Sequence, residues 1–216
     1  MKTLKDTVAP LTAVMTAVFL VAPAFAQEPA TSPAAGSMED PAMMAKMMEL
    51  AKLNENHKLL ASLDGTWSYT VKMWMSGDPT GKPDVSKGTA TRKSVMGGRF
   101  TIMDVKGTME MPGADGKMTQ FEFMGRGTDG YDNVQKKFIS TWFDNMGTGI
   151  MMSEGTYDEA TKTFTYTGEY EPMPGMKQQA RQTLELNDKD HMTMEWYENR
   201  SGKEVKTMEI DYTRQK

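Results

Sequence analysis

The sequence predicts a mostly β fold: an antiparallel barrel of about ten strands preceded by one N-terminal amphipathic helix. Three observations predict it. A hydrophobic period of two begins at Thr66 and holds to the end, turn chemistry recurs at even intervals, and no helical crossover separates the strands. Consecutive strands of this kind pair antiparallel, and a long meander exposes two edges unless it closes on itself.

The chain starts with the three parts of an export signal. Lys2 and Lys5 make a short basic start, and residues 11–21 (LTAVMTAVFLV) form an apolar run. That run is shorter than the roughly 20 residues that span a bilayer. Ala24-Phe25-Ala26 supplies the small-x-small pattern read by signal peptidase. The expectation is a cleaved Sec-type signal peptide, residues 1–26, cut after Ala26. It implies a periplasmic or secreted protein with no stable membrane insertion after cleavage. Residues 27–39 (QEPATSPAAGSME) read as a disordered linker, and residues 40–216 as one domain.

Asp40-Pro41 reads as an N-cap with proline at the first helical position. The helical pattern runs over 41–63, with Met44, Met47, Met48 and Ala51 on one face and Leu53, His57 and Leu60 continuing it. From Thr66 the first strand alternates Trp67, Tyr69, Val71, Met73 and Met75 with polar neighbours. Further strands are expected near 85–96, 99–110, 118–127, 136–144, 149–157, 162–170, 178–187, 191–198 and 204–214. The breaks between them carry turn residues, such as Ser76-Gly77-Asp78-Pro79, Met96-Gly97-Gly98, Asp129-Gly130 and Asn187-Asp188.

Charge and composition exclude several function classes. The whole chain carries a net charge of −4, and removing Lys2, Lys5 and Asp6 with the signal makes it one unit more acidic. Nucleic acid binding wants a basic face that displaces counterions, so no nucleic acid partner is expected. With no cysteine there is no disulfide framework, thiolate nucleophile, Cys-based zinc site or lipid-anchoring cysteine.

Chemistry-bearing motifs are sparse. Gly125-Arg126-Gly127-Thr128-Asp129-Gly130 matches G-x-G-x-x-G, but that fingerprint needs a helix after it, and here Phe138-Ile139-Ser140-Thr141-Trp142-Phe143 follows as a strand. The glycines instead thin a strand and close a hairpin. His57 and His191 are the two side chains able to act as bases near neutral pH, and neither sits in a catalytic motif. Asp144 follows Trp142 and Phe143, and reads either as a buried carboxyl or as a strand-end residue that bonds the next turn. An enzyme would use such a buried Asp or His inside the barrel. No reaction and no cofactor are read from these residues.

Methionine is the unusual abundance, at 23 residues. Met73/Met75, Met109/Met111 and Met192/Met194 each place two thioethers on one strand face. Soft thioethers suit Cu(I), and with His191 these six make an alternative metal site in a periplasmic Cu(I)-binding protein. Methionine also serves as a flexible core filler or as a sink for oxidation.

Several stretches carry a family resemblance: His57-Lys58-Leu59-Leu60 leading to Leu63-Asp64-Gly65-Thr66-Trp67, then Met96-Gly97-Gly98-Arg99-Phe100, Gly127-Thr128-Asp129-Gly130-Tyr131-Asp132-Asn133 and Trp142-Phe143-Asp144-Asn145-Met146-Gly147-Thr148. Together they resemble the DUF1579 family of often exported bacterial proteins, a family with no assigned activity. Gly65-x-Trp67 after a short helix is also similar to the first-strand motif of calycins, the lipocalin-like barrels. That resemblance implies that Trp67 plugs one end and that Arg214, on the last strand, lies across it to close the barrel. It further implies a cavity for a small hydrophobic or amphipathic ligand. Some ten-stranded relatives hold haem through a histidine, for which His191 is the late-strand candidate. The residues expected to line or gate the cavity are Trp67, Tyr69, Arg99, Tyr131, Trp142 and Asp144.

Overall fold

The computed structural model describes residues 40–113, 115–200 and 202–216. The expected signal peptide and the linker 27–39 lie outside the described residues.

Two short helices precede the sheet, α1 (Pro41–Leu50) and α2 (Glu55–Ala61). Asp40 caps α1 by accepting a hydrogen bond from the Ala42 N–H at 2.9 Å. The helical stretch expected over 41–63 is thus present in two pieces, and the break has a local cause. Asn54 takes an extended conformation, and its side chain accepts from the Asn56 N–H. The Nδ1 of His57 accepts from the Asn54 N–H at 3.1 Å, completing a reciprocal cap. Helix α1 buries no residue, and Met44, Met47 and Met48 are exposed. The apolar stripe read along a single helix therefore does not cover the barrel as a unit. Helix α2 does that work through His57 and Leu60.

Ten strands follow: β1 (Gly65–Met73), β2 (Asp84–Val95), β3 (Phe100–Pro112), β4 (Met118–Asp132), β5 (Lys137–Asp144), β6 (Met151–Asp158), β7 (Thr163–Tyr170), β8 (Gln178–Glu185), β9 (His191–Arg200) and β10 (Lys203–Arg214). Each pairs antiparallel with its sequence neighbours, and β1 also pairs with β10, so the barrel is closed. Closure leaves no unpaired sheet edge. In β1, Trp67, Tyr69 and Val71 are buried while Thr66, Ser68 and Thr70 are not, which is the alternation of a half-buried strand.

One break falls elsewhere than expected. Asp129-Gly130 belongs to β4, and the chain turns over residues 133–136, with Lys136 at φ 56°. Asp129 points inward to an ion pair with Arg92, and Gly130 lies so close to Phe100 that a Cβ there would meet its ring at 2.8 Å. Both contacts require extended backbone at a site where the dipeptide alone suggests a turn.

The core is concentrated at the α2 end. Leu60, Leu63 and Trp67 are almost fully buried, and Tyr131, Phe138 and Phe164 pack edge to face in sequence at centroid spacings of 4.9 and 5.0 Å. Asn133 ties the helices to this end, donating from Nδ2 to the Leu50 and Lys52 carbonyls at 2.7 and 2.8 Å.

Candidate functional site

Inside the barrel, with Leu60 and Leu63 among its lining, lies a cavity of about 880 Å³. It reaches the surface at the end away from α2, where the exposed side chains of Met75, Met146 and Ile150 line it. Its walls come from inward-facing positions of many strands, including Val71, Met103, Phe123, Met194 and Trp196. The space exists partly because small residues stand opposite large ones. A Cβ at Gly125 would meet the Trp142 ring at 2.4 Å, so glycine lets that indole lie flat against the wall.

Three of the six expected cavity residues line this space: Tyr69, Trp142 and Asp144. The Tyr69 hydroxyl donates to the Lys106 carbonyl at 3.2 Å. Trp142 stacks on Phe123 and donates from Nε1 to Asp144 Oδ2 at 2.8 Å. The other Asp144 oxygen accepts from the Met146 N–H at 2.9 Å, so Asp144 also organises the turn after β5.

The other three stand elsewhere: Trp67 and Tyr131 face inward at another level of the barrel, and Arg99 lies in a turn outside it. Trp67 is 1 % exposed and plugs the α2 end, donating from Nε1 to the Leu63 carbonyl. Tyr131 also faces inward, but at the level filled by Phe138 and the edge of His57. Arg99 sits in the β2–β3 turn and donates to the Met96 and Ala51 carbonyls, outside the cavity. Arg214 lies across Trp67, its guanidinium carbon 4.1 Å from the ring centroid.

Of the candidate metal residues, Met73, Met75, Met109 and Met194 line the cavity, Met192 is buried beside Trp67 and Tyr212, and Met111 lies farther along β3. His191 is exposed and holds Asp188 at 2.9 Å. His57 is on the buried face of α2, where burial and the nearby Arg99 charge push its pKa down. Among the described residues no histidine lines the cavity, so the residues present do not fit a histidine-held haem.

The polar floor of the cavity is the feature that sequence reasoning missed. Arg92 on β2, only 6 % exposed, donates from Nη2 to Asp129 Oδ2 at 2.6 Å across the barrel interior. Its Nη1 lies 3.6 Å from Met103 Sδ, and its Nε has no partner. Tyr166, Tyr212 and Gln182 complete the polar wall. Burial, reinforced by the Asp129 charge, drives the Tyr166 phenol far up, and burial does the same to Tyr212. Both therefore stay protonated donors. The one available signal was an arginine at an inward parity position of β2, which two-residue alternation alone reads as anomalous.

A family model described as a protein of unknown function, DUF1579, matches residues 52–214, which include α2 and the entire barrel. The chain belongs to the DUF1579 family. The family's segments now have physical roles in this DUF1579 barrel: Asp132 and Asn133 cap a turn and latch the helices, and Trp142 with Asp144 builds cavity wall. Among solved structures, the chain is similar to Rv2717c from M. tuberculosis, with 15 % identity and a TM-score of 0.50 over 76 % of this chain and all of that one. A DUF3598 family protein from Nostoc punctiforme also matches, at 6 % identity and a TM-score of 0.25, over 76 % of this chain and all of that one. No curated protein matches the chain.

Proposed function

We propose that this DUF1579 barrel is an exported carrier that binds a small hydrophobic or amphipathic molecule in its interior. The observation that carries the reading is the cavity of about 880 Å³, within the roughly 300–1,000 Å³ common for small-molecule sites. Its lining has the matching character: aliphatic, aromatic and thioether side chains make most of the wall, with convergent polar groups on the floor and ion pairs elsewhere in the wall. Flexible methionines at the mouth, such as Met75 and Met146, suit the passage of ligands of varied shape. The export signal read from residues 1–26 supports a role outside the cytoplasm.

Native mass spectrometry of the protein purified from periplasm tests this. A co-purifying small molecule, lost when Gly125→Leu crowds Trp142 into the cavity, is the expected result. Protein that carries no molecule, and that also fails to bind an apolar fluorescent probe with a change in tryptophan emission, would overturn it.

A further inference from the structure

The cavity wall holds three cations, and each already faces an acid. Arg92 pairs with Asp129 at 2.6 Å on the floor, while Lys177 pairs with Glu169 and Arg200 with Glu198, both at 3.0 Å. Asp144 and Glu171 add two further carboxylates to the lining, so acids outnumber bases. Among the described residues every cation of the wall is charge-paired with an acid, so none offers an anionic head group an unneutralised charge. The floor instead presents uncharged hydrogen-bonding groups. Among the described residues neither the Tyr166 nor the Tyr212 hydroxyl has a hydrogen-bond partner, although the two tyrosines are only 4 % and 8 % exposed, and Gln182 lines the cavity with them. Buried polar groups are normally paired, and these two tyrosines border open cavity instead.

We infer that the ligand is an uncharged amphiphile that enters head first, its carbonyl or hydroxyl accepting hydrogen bonds from Tyr166 and Tyr212. The inference rests on the cavity being a ligand site, and it names the class of ligand. A carboxylate or phosphate head on the floor would stand beside the Asp129 carboxylate in a space with little water, where like charges repel strongly. An ammonium head would meet Arg92 in the same way. A ketone or alcohol loses far less than an ion on leaving water, and two phenol donors replace the hydrogen bonds it gives up. The tail then lies along Val71, Met103, Phe123 and Trp142 toward the mouth.

A matched panel of ten-carbon probes tests this at pH 7: a methyl ketone, a primary alcohol, a carboxylate and an ammonium, each titrated against tryptophan emission. Trp142 and Trp196 line the cavity and report occupancy. The ketone and alcohol should bind about tenfold tighter than either ion. Tyr166→Phe and Tyr212→Phe remove one hydroxyl each without altering ring volume, and each should weaken the ketone about two- to tenfold while leaving the ions unchanged. Asp129→Asn frees the Arg92 charge and should raise carboxylate affinity about tenfold or more, reversing the preference. Equal binding of all four probes, or tightest binding of the carboxylate to the wild type, would overturn the head-group assignment while leaving the cavity as a ligand site. Failure of every probe to bind would remove both.

Discussion

Arg214, the last residue of β10, stands directly opposite Trp67 of β1 and lays its guanidinium over the indole at 4.1 Å. The contact joins the first strand to the last, so it sits on the seam that closes the barrel. Arg214 also donates from Nε to the Lys189 carbonyl at 2.9 Å, and from its two terminal nitrogens to the Asp64 and Ser62 carbonyls. One side chain thus fastens the α2–β1 corner and the β8–β9 turn to the seam.

Arg214→Ala should lower stability by about 1–3 kcal/mol, combining the cation–π contact with the loss of charge-assisted hydrogen bonds. Arg214→Lys should recover only part, because an ammonium cannot reach three carbonyls from a planar fork. Trp67→Ala should cost about 3–5 kcal/mol as a buried aromatic. Urea unfolding of the two single alanine variants and their combination measures the coupling, expected at about 0.5–2 kcal/mol.

The buried Arg92–Asp129 pair should be costly to break from one side. Arg92→Met or Asp129→Leu alone leaves an uncompensated charge and should cost about 3–5 kcal/mol. Making both changes together should cost far less than their sum, since a buried pair replaced by apolar side chains is often near neutral. Chemical denaturation of the three variants decides it.

Stability should respond to His57 below neutral pH. Its folded pKa lies beneath the usual 6.5, pushed down first by burial and then by Arg99. The unfolded chain therefore binds the proton more readily. The contribution is complete above about pH 6.5 and is lost as pH falls through 6.5 toward the depressed folded value. Urea midpoints at pH 7 and pH 5.5 should show this loss. His57→Gln, which can still fill the reciprocal cap, should flatten it.

The two helices should differ sharply in their worth. Removing residues 40–49 takes away a helix that buries nothing, and should change stability by less than about 0.5 kcal/mol. Leu60→Ala opens a void beneath α2 and should cost about 2–5 kcal/mol. Comparison of the two melting temperatures is the check.

If residues 1–26 are an export signal, protein recovered from the periplasm should begin at Gln27. Edman sequencing or intact mass reads this directly. A chain retaining Met1 would remove the export half of the proposed function.

Much of the barrel was legible because its information is local. Each strand reports itself by alternation every two residues, and each hairpin by its turn residues, as at Met96-Gly97-Gly98 and Asn187-Asp188, so the expected strands match those observed to within a few residues. The proximity of positions 67 and 214 also follows from sequence order, because a closed meander must pair its first strand with its last. Local signals misled where a long-range contact outweighed them. Asp129-Gly130 has turn chemistry, but an ion pair to a residue 37 positions away holds it in a strand.

By itself, then, the sequence determined the strand count, the antiparallel order, the inward side of most apolar positions and the family. Only the tertiary structure decided the depth at which each inward side chain sits. Depth depends on the stagger accumulated over all ten pairings around the barrel, and no single segment encodes it. Trp67, Tyr131 and Trp142 share the same inward parity, yet two fill the plugged end and one lines the cavity. The stagger likewise carries Arg92 to Asp129 and turns Tyr166 and Tyr212 onto the same floor, making a polar site from residues on four different strands.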